Sequence, residues 1–553
     1  MKHLFIIMFF TFFHAAVQGQ DLIYDWKKEL NSKGRSQGLD ILHHEGAIYT
    51  CGYFENDFQI DTLQWKTEKA REGYFMKLTP EGKVSWAKRF QSHKNVSITS
   101  ITADDEDRIF IAGTYVNKVR FDTVLQTYHL DTFLSSNAFM ACYHTDGKLL
   151  WAKTTGATAY PQTQIHADKK GNVFLAGRAV KLEYLDAQTP FFIKDSLLVT
   201  WTPGTPYYTY FQRNDGFLAK YDRQGTLSWA TGTGGNVQDI TTDTFGNVVV
   251  TGTFGFEENR MPGDQAHHYG ALPVTKTGTY SPFIAKHLGD GTVQWIQVMG
   301  GSSNNNESNG ILTDADGNIF QVGGIGGNHV HFDGQNLIDQ VDDQIGFAAK
   351  WNANGQLQWM LPIGNPNFSP FPNNEGTDIQ WTPRGTLLTS FYFQDHITFN
   401  NQTFVSNGGA DLLLLEMDAD GNVIKGGQDL LFGWNNANAI TLDAEGNIYL
   451  TGFNDDWNSS LPTRITLGKL GPELLTATSY VAHNPMPVCY PNPARVGEKI
   501  HFLSSPDEDI RIYDTQGRLI FQGNANAEVK LMQRGIYFVK IPRCNYSFKL
   551  IVE

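Results

Sequence analysis

One line of this sequence returns seven times. "DADGNIFQVGG", Asp314 to Gly324, is a polar turn followed by alternating apolar residues. Relatives of it begin at His43 ("HHEGAIYTCGYF"), Asp104 ("DDEDRIFIAGTY"), Asp168 ("DKKGNVFLAGRA"), Asp243 ("DTFGNVVVTGTF"), Thr382 ("TPRGTLLTSFYF") and Asp443 ("DAEGNIYLTGFN"). A second line follows each first one: "YFMKLTPEGKVSWAK", "AFMACYHTDGKLLWAK", "GFLAKYDRQGTLSWAT", "PFIAKHLGDGTVQWIQ" and "GFAAKWNANGQLQWML", with degenerate copies "LLLLEMDADGNVIKGG" and "RITLGKLGPELLTATS". Period-two apolar runs bounded by Asp-Gly or Gly-Asn are antiparallel strands joined by tight turns. Each unit is therefore two hairpins, and repetition on this scale overrides the several separate domains that length alone suggests.

Four strands per unit predict the blades of a β-propeller. A Trp four residues after the Gly of each full second line supplies a large apolar surface between neighbouring sheets. Gly113, Gly177, Gly252, Gly323 and Gly452 are expected to end the second strand where the chain bends. Trp26, in "LIYDWKKELNSKG", resembles a fourth strand with no strands before it, whereas the last unit lacks a good fourth strand. The two defects are complementary, so the N-terminal strand is expected to complete the last blade and close a ring of seven, hiding two open edges. Smaller hairpin-like insertions recur as "FQIDTLQW", "VRFDTVLQ", "VHFDGQNL" and "ITFNNQTF". The whole pattern resembles the secreted bacterial SBBP-repeat propellers over residues 20–475, a likeness that implies a fold and no activity.

The start of the chain, Met1-Lys2-His3, then "LFIIMFFTFF", then "HAAVQG", reads as a secretory signal (1–19) cut after Gly19. No later run approaches the length of a membrane-spanning helix, so no transmembrane segment is expected. A formal charge of −14, from 43 basic and 57 acidic residues, argues against a nucleic-acid partner. Four cysteines are too few to build a disulfide scaffold, and 37 Phe, 22 Tyr and 12 Trp provide a core instead.

After a polar linker, 476–487, the pattern changes. Residues 488–553 contain short strands expected to form a small Ig-like β-sandwich, which makes the fold class all-β, a seven-bladed β-propeller followed by that sandwich. "YPNPA" (with Pro491, Asn492 and Pro493), "IYDTQGRLI" (Gly517), "RGIYFVKI" (Gly535, Tyr537) and the terminal "KLIVE" closely resemble the type A C-terminal sorting domain of the type IX secretion system. The resemblance implies a Bacteroidetes-type source, the type IX machinery as a partner, and a cell-surface or extracellular destination after removal of signal and tail. Cys489 and Cys544 depart from the common pattern of that family, and spacing leaves their pairing open.

Chemistry-bearing motifs are sparse. The Asp-x-Asp-Gly-Asn pieces at Asp314 and Asp418 resemble calcium loops, but a strand starts directly after the Asn and other copies replace the acids, as turns allow. His329 and His331 would share a strand face, yet other copies carry Arg120, Gln59 or Thr398 at the position of His331, so a solvated face is expected, and His267-His268 is likewise read as surface. No metal, cofactor or catalytic residue is nominated. Hairpins with Gly-x-x-x-Trp resemble pyrroloquinoline-quinone propellers, without their eight blades or adjacent cysteines; no Asp-box, Gly-x-Ser-x-Gly or His-Glu-x-x-His occurs. A binding or interaction protein with an unidentified extracellular ligand is expected. A secreted carbohydrate-active or other hydrolytic propeller is the alternative, with Glu307 and Glu375 as acids near loops. Ligand contacts are expected on the face carrying the long connections, at Trp201, Tyr207, Tyr208, Tyr210, His268, Tyr269, Asn305, Glu307, Phe371 and Glu375.

Overall fold

The computed structural model describes residues 17–552 apart from 31–33, 68–70, 128–135, 180–191, 198–214, 256–266, 365–373, 430–433, 456–462, 473–487, 491–494, 504–508, 515–517, 525–528, 542–545 and isolated gaps of one or two residues. Among the described residues every regular element is a strand. Seven antiparallel four-stranded blades stand around one axis. Their inner strands are Gln37–His44, Val96–Ala103, the end of Leu149–Ala167, Asn236–Thr242, Glu307–Thr313, Glu375–Trp381 and Trp434–Leu442, and we number the blades in that order. The strand Leu149–Ala167 runs without a break from the outer edge of blade two into the inner position of blade three.

The repeated polar turn is a local device. In blade five the Asp314 carboxylate accepts the backbone N–H groups of Asp316 (3.0 Å) and Asn318 (2.8 Å) with Oδ1 and the Asn318 amide (2.7 Å) with Oδ2. Asp168, Asp243 and Asp418 accept the same three kinds of bond. Both oxygens are thus spent on reversing the chain, the Asx-turn use of an aspartate. Gly317 supplies the positive φ, +78°, that the turn requires.

The second line of each repeat makes the joints between blades. Trp86 of blade one donates its indole N–H to the Thr145 carbonyl of blade two (3.3 Å), and Trp151, Trp229, Trp295 and Trp359 do the same to Arg223, Gly289, Ala353 and Ala419. Under each ring lies the turn glycine of the next blade. At Gly291, with φ +91°, a Cβ would come within 2.8 Å of the Trp229 ring. Lys77, Lys220, Lys286 and Lys350 add a second donor to the same turns.

Blade seven is built from both ends of the ring. Tyr24–Leu30 pairs antiparallel with Arg464–Leu470, with Trp26 opposite Lys469. The Trp26 indole then reaches the Pro80 carbonyl of blade one at 3.0 Å, the sixth joint of the same kind. The joint between blades six and seven is different, because Lys425 and Glu416 stand where the other blades have Trp and Lys, and they pair with each other at 3.1 Å. That joint is crossed by the N-terminal segment: Gln20–Asp21 pairs in parallel with Gly427–Gln428, and both Tyr24 and Lys27 bond the Asp429 carboxylate, at 2.7 and 2.6 Å. Val17–Gln18, ahead of the expected signal cut, pairs with Gln402–Thr403.

The glycines of the second strands have a different reason from the expected bend. Gly113, Gly252, Gly323 and Gly452 lie inside their strands, opposite a β-bulge in the inner strand. The bulge pushes an inner-strand carbonyl over them, and a Cβ would lie 1.8 to 2.2 Å from that oxygen. In blade six the partners are exchanged: Phe391 occupies the second strand, and Gly376 faces it from the inner one.

The tail forms two antiparallel sheets, Val488–Tyr490, Lys499–Leu503 and Val529–Lys530 in one, and Leu519–Asn524, Asp509–Asp514, Gly535–Ile541 and Tyr546–Val552 in the other. Ile510, Ile512, Val529, Tyr537 and Val539 pack in a core that draws on both. Among the described residues no helix is long and apolar enough to cross a membrane.

Candidate functional site at the ring axis

Bulges place polar side chains at the axis. In the inner strands of six blades the register shifts at one level, and the inserted residue, which is Leu39, Thr99, Gln238, Asn309, Thr377 or Asn438, lines a cleft of about 260 Å³. Gln164, Ile165 and His166 complete the wall from blade three, so all seven inner strands contribute. The cleft is mainly polar, and among the described residues it is lined by no Lys or Arg.

Three aspartates follow the bulge residue. Asp40 Oδ1 accepts the N–H of Ile41 and Oδ2 that of Ile101 in blade two, both at 2.7 Å. Asp239 joins blade four to Ile311 of blade five (2.9 Å), and Asp378 joins blade six to Ile440 of blade seven (2.8 Å). Each carboxyl is first of all a clamp between adjacent inner strands. Burial drives Asp40 and Asp378 up to about 7 against the lowering effect of those N–H bonds, and burial plus the charge of Asp378 drives Asp239 well up. Burial also lowers His166 to about 4, and its Nε2 lies 3.1 Å from the Thr242 hydroxyl.

Towards the end of the strands where the long connections enter, Glu307 and Glu375 open the inner strands of blades five and six. The two carboxyls interact: burial first, then the neighbouring Glu375 charge, raises Glu307 to about 8, and burial raises Glu375 as well. Two interacting buried acids resist ionising together, and the raised Glu307 favours its protonated form near neutral pH. Tyr392 donates to Glu375 Oε2 at 2.5 Å, and Asn309 bonds Oε1. Gln238 donates to Glu307 at 3.3 Å and to Asn309 Oδ1 at 3.1 Å, and Thr253 donates to Gln238 at 2.8 Å. Gln344 extends the network to Asn305 at 3.1 Å. Because Gln238 and Asn309 belong both to this network and to the cleft wall, pair and cleft form one continuous site spanning blades four to six.

The structure brings together Asn305, Glu307 and Glu375 of the expected contacts. It places Tyr269 elsewhere: the ring is fully buried in the core of blade four, with its hydroxyl on His287 Nε2 at 2.7 Å, so it is a packing residue and not a ligand contact. His268 lies on the strand His267–Tyr269. Trp201, Tyr207, Tyr208, Tyr210 and Phe371 lie outside the described residues, as do Pro491, Asn492, Pro493, Gly517 and Cys544. Cys489 lies on the strand Val488–Tyr490, Gly535 begins a strand, and Tyr537 is buried with its hydroxyl on the Gln533 carbonyl at 2.9 Å. Among the described residues no group of three or more His, Cys, Asp or Glu is placed to hold a metal ion. Cys51 and Cys142 are free, buried thiols. Sequence reasoning missed the three aspartates, although a signal exists: "GLDI", "VQDI" and "GTDI" each put an acid before an isoleucine a few residues ahead of the repeated turn.

Fold and site define the class: a seven-bladed β-propeller with a polar axial cleft. Residues 488–553 match the secretion system C-terminal sorting domain, which implicates the type IX machinery and indicates a secreted, cell-surface protein. An uncharacterized WD repeat-containing protein, L264, of Acanthamoeba polyphaga mimivirus is 22% identical over 340 residues, 53% of this chain and 24% of that protein, so the chain spans about a quarter of the length of the curated relative it matches. Among solved structures, a PL25 ulvan lyase bound to -[GlcA(1-4)Rha3S]- is similar at 10% identity, with 82% of this chain and 98% of that one covered and a TM-score of 0.39. A DUF4221 family member from Bacteroides vulgatus is similar at 10% identity over 81% and 97% of the two chains, with a TM-score of 0.29.

Proposed function

We propose that this exported propeller is a binding protein of the cell surface or its surroundings, and that a glycan, protein or other envelope ligand enters the axial cleft from the face of the long connections. The observation that carries the reading is the cleft itself: bulges in six inner strands turn side chains, five of them polar, into one space, next to a pair of buried acids. Trp201, Tyr207, Tyr208, Tyr210, His268 and Phe371 are proposed contacts around that entrance. In the same reading the repeats are of the SBBP type, the tail is an Ig-like sandwich, and the source is a Bacteroidetes-type bacterium. Signal cleavage after Gly19 and later removal of the tail belong to it too; the pairing of Gln20–Asp21 survives that cut.

The alternative is a hydrolytic, carbohydrate-active propeller using Glu307 and Glu375. Both acids are tied into a buried network, Glu307 by Gln238 and Glu375 by Tyr392 and Asn309, which favours binding. The deciding experiment probes arrays of glycans and envelope extracts with the propeller fragment while reducing-sugar release is assayed on the same ligands. Binding without turnover is expected, and turnover abolished by Glu307→Gln would establish the alternative.

A further inference from the structure

Resting on that binding reading, we infer that the axial cleft takes a neutral, hydroxyl-rich end group, a single unmodified sugar unit at a chain terminus, and rejects uronate, sulfated or phosphorylated units. Size sets the first limit. A cleft of about 260 Å³ falls just under the range of pockets that enclose drug-sized ligands, roughly 300–1,000 Å³, so it accommodates one ring and not an oligomer.

Charge sets the second. The ionisable groups of the wall are Asp40, Asp239, Asp378 and His166, with Glu307 and Glu375 beyond them. Among the described residues no lysine or arginine faces this space to receive an anion. Among the described residues a sulfate, phosphate or carboxylate would find no side-chain cation with a charge to match it, and the ionised fraction of the wall acids would repel it, the arrangement by which sites exclude wrong partners. Burial raises Asp40 and Asp378 to about 7 and Asp239 well up, so near neutral pH the wall offers acid hydroxyls to a neutral ligand beside partial negative charge that repels an anion.

Hydrogen-bonding capacity sets the third. Asn438 is held by a bond to the Gly38 carbonyl (2.7 Å), Asn309 by one to the Gly376 carbonyl (3.0 Å), and Gln380 by one to Asp378 (3.3 Å). These amides are fixed before any ligand arrives, which lowers the ordering cost of recognition. Gln164 faces the cleft and makes no side-chain hydrogen bond among the described residues, so its amide offers a donor and an acceptor to an incoming hydroxyl pair. A site built to bond hydroxyls discriminates strongly against groups that lack them.

The test titrates the propeller at pH 7 by calorimetry with neutral monosaccharides and short neutral oligosaccharides, with glucuronate and sulfated sugars, and with glucosamine. Neutral sugars are expected to bind, and the anionic ones to bind at least tenfold more weakly. Gln164→Ala should weaken neutral-sugar binding about fivefold or more without moving the melting temperature, because that side chain holds nothing else. Phe245→Ala, at an exposed turn outside the cleft wall, should leave the affinity within about twofold. Tighter binding of glucuronate, or tighter binding of glucosamine with its loss in Asp239→Asn, would overturn the inference by showing an anion or cation site. If an envelope ligand binds and neither Gln164→Ala nor saturating sugar affects it, the inference falls and the binding reading stands. If no ligand of any class binds, both fall.

Discussion

At the scale of single residues the axial acids carry two consequences at once. Asp40 and Asp378 sit in the fold at about 7, above the ordinary carboxylate value near 4, because burial outweighs the N–H bonds each receives. A group raised on folding binds more protons in the native state than in the unfolded chain. Its stabilisation is therefore complete below about pH 4 and is lost as pH rises through about 7. The expected slope is about 1.4 kcal/mol per pH unit for each such group at most. Urea unfolding followed from pH 4 to pH 8 should show stability falling across that window, and the double variant Asp40→Asn, Asp378→Asn should flatten the profile. A wild-type profile that rises from pH 4 to 8 contradicts this account of the clamps. None of it was legible from the sequence, where an acid in a strand reads as a solvated residue; only the closing of the ring removes water from that face.

At the scale of the element, the hairpin carrying Trp is the recurring joint. Its indole packs on a glycine and donates to a carbonyl of the next blade, so one residue supplies both apolar contact and a directional bond. Trp26→Ala should cost roughly 3–5 kcal/mol, the range for emptying a large aromatic site, measured by chemical denaturation. The joint between blades six and seven tests the rule from the other side. Restoring the consensus there with Lys425→Trp and Glu416→Lys together should raise the melting temperature, by an amount corresponding to about 0.5–2 kcal/mol; a lower value would mean that the existing Lys425–Glu416 pair suits this joint better. The tryptophans and their spacing were visible in the sequence. What lies beneath them was not, and the second-strand glycines were misread for the same reason: a residue chosen for what approaches it from another strand leaves no mark of that strand in its own neighbourhood.

At the scale of the whole molecule, the N-terminal segment holds blade seven on both sides. It supplies the outer strand opposite Arg464–Leu470, reaches blade one through Trp26 and crosses to blade six through Gln20–Asp21 and the Asp429 bonds. Deleting residues 20–30 should expose the edge of Arg464–Leu470 and yield an aggregating protein, seen by light scattering and loss of a cooperative unfolding transition. Removing everything after Pro487 is expected to have the opposite outcome. Among the described residues the ring draws no strand from the tail, so the truncated propeller should unfold at an unchanged temperature while failing to reach the cell surface. Surface fractionation beside a melting curve checks both parts.

The sequence alone was sufficient for the number of blades, the hairpin content, the partnership of the first strand with the last unit, and the export signal in the tail. These are written in patterns that repeat within a few residues: alternation specifies a strand, Asp-Gly and Gly-Asn specify a turn, and a tryptophan at constant spacing specifies a joint. The site is of another kind. Gln238 and Asn309 meet Glu307 and Glu375 only because bulges in six inner strands fall at one level around one axis. The raised carboxyls of the two glutamates follow from burial, and for Glu307 also from the charge of its neighbour, conditions that exist nowhere in the extended chain. Local pattern is a property of neighbours in sequence, whereas convergence and desolvation are properties of neighbours in space, and tertiary structure alone decided which residues those would be.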